Sequence, residues 1–172
     1  MASLMDDLFM TLNKEIDEYG KLLELTKKKT PIIVSGDIEQ LRLITDEEQR
    51  VADNIVAIDA KRAEITKDIA GVLNTDVENL KLSVLIEVLE RRPAEQQTLA
   101  DIRDRLKTVV DSVKMVNGNN MELINRSLEM VEFDLNLMKS MRQAPETNNY
   151  GRSAINSGSI LGGNVGGFDA KQ

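Results

Sequence analysis

Two charged side chains in an otherwise apolar seam are the first candidates for chemistry in this chain. Apolar residues recur at steps of three and four between residues 41 and 72, and Glu48 and Arg62 occupy two positions of that seam. The two positions lie roughly 21 Å apart along a helix, so these side chains do not pair with each other. They could form a binding couple for a ligand. Alternatively, each reaches the edge of the seam or meets a partner on another helix, which sets the register, and we prefer this second interpretation.

The residue types that the chain lacks exclude much catalytic chemistry. The 172 residues contain no Cys and no His. This removes thiol nucleophiles, disulfides, Cys/His zinc sites and histidine acid–base catalysis. Asp and Glu are abundant, but in an acidic helical chain we expect them on solvated faces. The glycine-rich stretch 162–167 has no following helix, unlike a phosphate-binding loop. We expect a protein that is not an enzyme and has no catalytic residue, no metal site and no cofactor.

Charge and hydropathy narrow the range of partners. The formal net charge is -7, which repels a phosphate backbone. The basic run 27–29 stands at the predicted end of the first helix, where it would complement the helix dipole. No apolar run approaches the ~20 residues of a membrane span, and the acidic start lacks the basic region of a signal peptide. The sequence therefore predicts a cytoplasmic protein with no nucleic-acid partner and no membrane insertion.

Periodic apolar residues predict three long helices and one short helix. The first covers residues 3–29 and ends before Pro31, since a residue that precedes proline avoids helical geometry. Residues 32–34 add one short turn. Asp37 caps a second helix that ends near residues 73–74. Ser83 caps a short helix to residue 91. The apolar residues of this short helix, which would close one end of a bundle, are Leu85, Ile86, Val88 and Leu89.

The last helix begins near Pro93 and carries an apolar seam for over forty residues. The seam consists of Leu99, Ile102, Leu106, Val109, Val113, Val116, Asn120, Ile124, Leu128, Val131, Leu135 and Met138. Its spacing drifts by one residue at 117–120, where Asn-Gly is also a turn signal. Either the helix breaks into a pair there, or it continues through a weak centre with Asn side chains in the seam. Because the periodicity resumes without loop residues, we favour a continuous helix.

The composition changes at residue 143. Six of the ten glycines lie in residues 143–172, and periodicity is absent there. We therefore predict a helical bundle domain over residues 1–142 and a flexible Gly/Asn/Ser-rich tail over 143–172. Spaced apolar residues, among them Tyr150, leave two interpretations open: a tail that orders on a partner, or an inert terminus.

Helix lengths indicate which apolar residues lack an internal partner. The fold class is all-α: an elongated antiparallel bundle or coiled coil of three long helices and one short helix. At 1.5 Å per residue the long helices span roughly 40, 55 and 70 Å, so the end of the last helix overhangs the others. Five of the eight Met residues lie between Met115 and Met141. This region either offers a partner-binding face, is covered by residues 32–34, or forms a dimer.

Taken in order, several segments resemble the flagellar export chaperones of the FlgN type. They are the helix segment 18–25, the Gly36-Asp37 turn before a heptad helix with Glu48 and Arg62, the short helix at 82–86, the Asn-rich segment 117–128, and Tyr150-Gly151. The likeness covers nearly all of positions 4–152. The long, glycine-rich tail beyond Tyr150 departs from the family pattern.

The resemblance implies a function for the C-terminal part. Such chaperones keep hook–filament junction proteins unassembled in the cytoplasm, grip the helical terminal segments of this cargo, and bring it to the flagellar export gate. The partner-binding residues expected here are Ile124, Leu128, Val131, Leu135, Met138, Met141 and Tyr150. The alternative is a structural coiled-coil protein that homodimerises through the C-terminal half of its last helix.

Overall fold

The computed structural model describes residues 2–143, and within this range the chain is helical without strands. Helix α1 spans Ala2–Ser35, α2 spans Ile38–Leu73, the short α3 spans Leu82–Val88, and α4 spans Pro93–Gln143. Single 3-10 turns at Val77–Asn79 and Leu89–Arg91 flank α3. The predicted all-α fold with three long helices and one short helix is confirmed. By its contacts the chain divides into two units, Met1–Met130 and Val131–Gln172, which are treated separately below.

The turn between α1 and α2 forms as predicted. Gly36 adopts a φ of 70°, a left-handed conformation that glycine accepts at little cost. Asp37 then caps α2, and its Oδ1 accepts a hydrogen bond from the Gln40 amide at 2.9 Å. At the other end, Asn74 takes a left-handed φ of 53° and closes α2 where the sequence predicts its end.

Helix α1 continues past the position where we expected it to stop. Pro31 lies inside α1, which ends at Ser35 rather than at residue 29. Proline in a helix interior costs about 3 kcal/mol, yet Ile33 in the next turn is buried, and this tertiary packing offsets the local preference.

The predicted role of the basic run 27–29 is therefore also wrong. The run does not lie in the last turn of α1, so it does not complement the dipole at the helix end. Lys29 instead donates to Oε2 of Glu48 on α2 at 2.7 Å.

Cross-helix hydrogen bonds fix the directions of the helices. Between α1 and α2, Glu15 meets Arg62 and Lys29 meets Glu48, so residue numbers rise on one helix as they fall on the other. The pair α1–α2 is antiparallel, as the short Gly36-Asp37 connection requires.

Helix α4 runs parallel to α1. Near its start Arg105 donates to Asn13, and further along Asn120 accepts from Thr30, so the numbers rise together on the two helices. Since α1 and α2 are antiparallel, α4 is antiparallel to α2.

The hydrophobic core gathers where the start of α1, the end of α2, α3 and the start of α4 meet. Its buried members are Met5, Leu8, Leu12, Ile65, Ile69, Ala70, Leu80, Leu85, Leu89, Leu99, Ile102 and Leu106. Leu85 and Leu89 close this end as predicted, and Ile86 packs against them, but Val88 is exposed. Helix α3 also begins at Leu82, one residue before the predicted cap Ser83.

Helix α4 is continuous through the Asn-rich segment, as we favoured. Gly118 lies on its exposed side, and a side chain there would meet nothing within 4 Å. The Asn-Gly turn signal fails because a hydrogen-bonded helix on both sides outweighs the preference of two residues.

Candidate protein-binding face

Asn120 attaches α4 to α1 at the last buried position of the long helix. Its Nδ2 donates to the Thr26 carbonyl at 2.9 Å, and its Oδ1 accepts from the Thr30 hydroxyl at 2.7 Å. The side chain is only 1% exposed, and its amide has a partner at each end. A satisfied polar group in an apolar seam fixes register, because any shift would leave buried polar atoms without partners.

Glu48 joins this attachment from α2. It accepts from Lys29 at 2.7 Å, and its other oxygen lies 3.1 Å from the Thr26 hydroxyl. We call Thr26, Lys29, Thr30, Glu48 and Asn120 the polar layer. It links α1, α2 and α4 at one level of the bundle.

Arg62 has its partner in a separate contact nearer the hydrophobic core. Its Nη1 lies 3.1 and 3.2 Å from the two carboxylate oxygens of Glu15, and its Nη2 bonds to Asp59. Burial raises the pKa of Glu15 more than the attraction of Arg62 lowers it, and Asp59 adds to the rise. Both charged seam positions therefore meet a partner on α1, which confirms the register interpretation and gives no support to a ligand-binding couple.

Beyond Asn120, no residue of α4 that the structure describes is buried. In the first unit, Ile124 is half-buried and Leu128 is 57% exposed. The loss of burial follows the seam itself: Leu99, Ile102 and Leu106 are buried, and Val109 to Val116 are half-buried.

The described part of the second unit is the last turns of α4, in which every side chain from residue 131 to 142 is exposed. Four sequence-predicted binding residues lie here, and their exposure rises from 50% at Leu135 to 71% at Met141. These four are Val131, Leu135, Met138 and Met141. Tyr150, the seventh predicted residue, lies outside the described residues. We call Leu128, Val131, Leu135 and Met138 the first face.

Further exposed apolar side chains lie off the predicted seam. Met130, Phe133 and Leu137 are 69%, 67% and 49% exposed. A seam traced through a single set of positions misses them. The signal in the sequence is a second seven-residue repeat, Leu123, Met130 and Leu137, on another side of the same helix.

Other kinds of site find no support in the part of the chain that the structure describes. Residues 2–143 contain no group of acidic side chains arranged to hold a metal ion. None of the four helices combines the length and the hydropathy needed to span a bilayer. The surface grooves are open, and charged side chains such as Lys21, Glu47 and Arg50 border the groove between α1 and α2.

The fold and this face define an all-helical protein whose longest helix carries exposed apolar residues along its C-terminal part. Sequence comparison then identifies the family: the FlgN protein family matches residues 1–158, and the chain belongs to it. Membership supports a general role as a flagellar export chaperone, in a family of chaperones rather than enzymes. No significant match was found among curated proteins or among solved structures.

Proposed function

We propose that this protein is a non-enzymatic, cytoplasmic chaperone that binds hook–filament junction proteins by their helical terminal segments. It keeps this cargo unassembled until export and brings it to the flagellar export gate. Family membership supports the general role. The exposed apolar face of α4 is the observation that supports the binding mode.

The first face suits an amphipathic helix of the cargo. Leu128, Val131, Leu135 and Met138 follow steps of three and four, which is the pattern of a coiled-coil seam. Burial of one such side chain contributes about 1.5–3 kcal/mol, so four of them provide a large driving force for association. Ile124 and Met141 extend the seam at either end.

A double variant tests the face. Leu128→Asp with Leu135→Asp should weaken binding of a purified junction protein by at least about a hundredfold, because two apolar contacts are lost and two charges are desolvated. Both side chains are exposed, so the fold should persist, which circular dichroism checks. The matched control is Asn125→Asp with Asn136→Asp, which adds the same charge at exposed polar positions of α4. Unchanged affinity in the leucine variant would exclude this face as the cargo site.

The tail, residues 143–172, is proposed as a segment separate from the helical domain, with Tyr150 as a contact for the export gate. Truncation after Ala144 tests whether the tail takes part in cargo binding, and undiminished binding would rule this out. Tyr150→Ala should leave cargo affinity unchanged and lower secretion of the cargo. Normal secretion would remove Tyr150 from the proposal.

The rival function is a structural coiled coil that homodimerises through the same part of α4. Light scattering of the full chain separates the two. A monomer that becomes a defined complex on addition of cargo agrees with the chaperone. A tight dimer that the Leu128→Asp, Leu135→Asp variant dissociates would favour the rival.

A further inference from the structure

The C-terminal part of α4 carries a second apolar face beside the first. It consists of Leu123, Met130, Phe133 and Leu137, and we call it the second face. At 100° per residue its centre lies roughly 130° around the helix from the centre of the first face. Leu123 is half-buried, and the other three side chains are about half to two-thirds exposed.

One partner helix cannot cover both faces. A helix in a bundle buries a stripe about 100° wide against its neighbour, so a single helix on the first face leaves Phe133 and Leu137 in water. Exposed apolar side chains in contiguous groups are typical of interaction sites. A helix with two apolar faces at this angle has the pattern of an element that packs between two others.

Acidic side chains border the second face on both sides. Glu129 and Asp134 are exposed, and neither forms an ion pair with a cation of residues 2–142. A second copy of this chain would bring the same acids to the contact, where like charges repel. A helix with Lys or Arg beside its apolar stripe would instead pair with them.

We propose that α4 binds two helical segments of one cargo protein, one on each face, and that the segment on the second face carries basic residues opposite Glu129 and Asp134. This inference rests on the proposed function and specifies its partner: a pair of amphipathic helices rather than a single one. The two segments and α4 would form a three-helix contact.

Site-specific photo-crosslinking of the full chain in complex with a junction protein tests the arrangement. A benzophenone amino acid replaces Phe133 on the second face or Leu135 on the first. The expected result is crosslinks to two different helical segments of the same cargo molecule. Crosslinks from both positions to one segment, or crosslinks from position 133 to this chain's own tail or to a second copy, would overturn the inference.

Affinity measurements separate this inference from the proposed function. Met130→Asp with Leu137→Asp should weaken cargo binding about a hundredfold, as the first-face pair does, and Asp134→Lys should weaken it about tenfold. The Asn125→Asp, Asn136→Asp variant is again the control. If only the first-face pair weakens binding, the second segment is refuted and the proposed function stands. If neither pair weakens it, both are refuted.

Discussion

Replacement of Asn120 by alanine should destabilise the protein at the level where the packed part of α4 ends. Asn120 is 1% exposed and forms two side-chain hydrogen bonds to α1, at 2.9 Å and 2.7 Å. Alanine removes both and leaves the Thr26 carbonyl without its added donor and the Thr30 hydroxyl without its acceptor.

The expected loss follows from three contributions. Each neutral hydrogen bond contributes about 0.5–1.5 kcal/mol net. Truncation of the buried side chain adds a packing loss on the order of 1 kcal/mol. The higher helix propensity of alanine returns about 0.6 kcal/mol. The free energy of unfolding should therefore fall by about 1.5–3 kcal/mol.

Urea unfolding followed by circular dichroism measures this change through the transition midpoint. The matched control is Asn119→Ala, the same substitution one residue earlier, at an exposed position. We expect the control to be neutral or stabilised by up to about 0.6 kcal/mol. Equal unfolding free energies for the two variants would refute the anchoring role of Asn120.

A double-mutant cycle locates the energy in the contact itself. Thr30→Val removes the hydroxyl that donates to Asn120, and combined with Asn120→Ala it should show a coupling of about 0.5–1.5 kcal/mol. Strict additivity would indicate that the asparagine acts through packing alone.

Three further predictions concern helix interiors and pH. Gly118→Ala should stabilise the protein by about 0.5–1 kcal/mol in urea unfolding, since a Cβ there meets nothing within 4 Å; destabilisation would contradict a continuous α4. Pro31→Ala should stabilise by about 2 kcal/mol, because relief of the helix defect exceeds the lost restriction of the unfolded chain; a lower melting temperature would show that the helix needs the proline. The raised pKa of Glu15 means that the folded state binds more protons, so stability should fall as pH rises from 4.5 through that pKa. Glu15→Gln should remove this part of the pH dependence of the urea midpoint, and an unchanged slope would assign it to other groups.

Much of the fold could be predicted from residue spacing because the chain repeats one kind of information. Steps of three and four give amphipathic helices, and Gly36-Asp37 and Asn74 give the two ends that carry left-handed or capping geometry. The continuous α4 follows from the unbroken period alone. Predictions made from a few local residues were less reliable, as the end of α1 at Pro31 and the cap at Ser83 show.

The partners of the charged seam residues required the tertiary structure. The sequence places Glu48 and Arg62 in a seam but does not say which helix faces them. Lys29 and Glu15 become their partners only because α1 runs antiparallel to α2 and continues through Pro31. The same uncertainty produced the wrong role for the basic run 27–29.

The sequence by itself determined that α4 carries an apolar seam along its whole length, and its family resemblance indicated a binding role. Only the tertiary structure decided where that seam stops being core, at Asn120, and showed that Phe133 and Leu137 are exposed as well. The reason is physical: periodicity reports which side of a helix is apolar, whereas burial depends on which other elements reach that side.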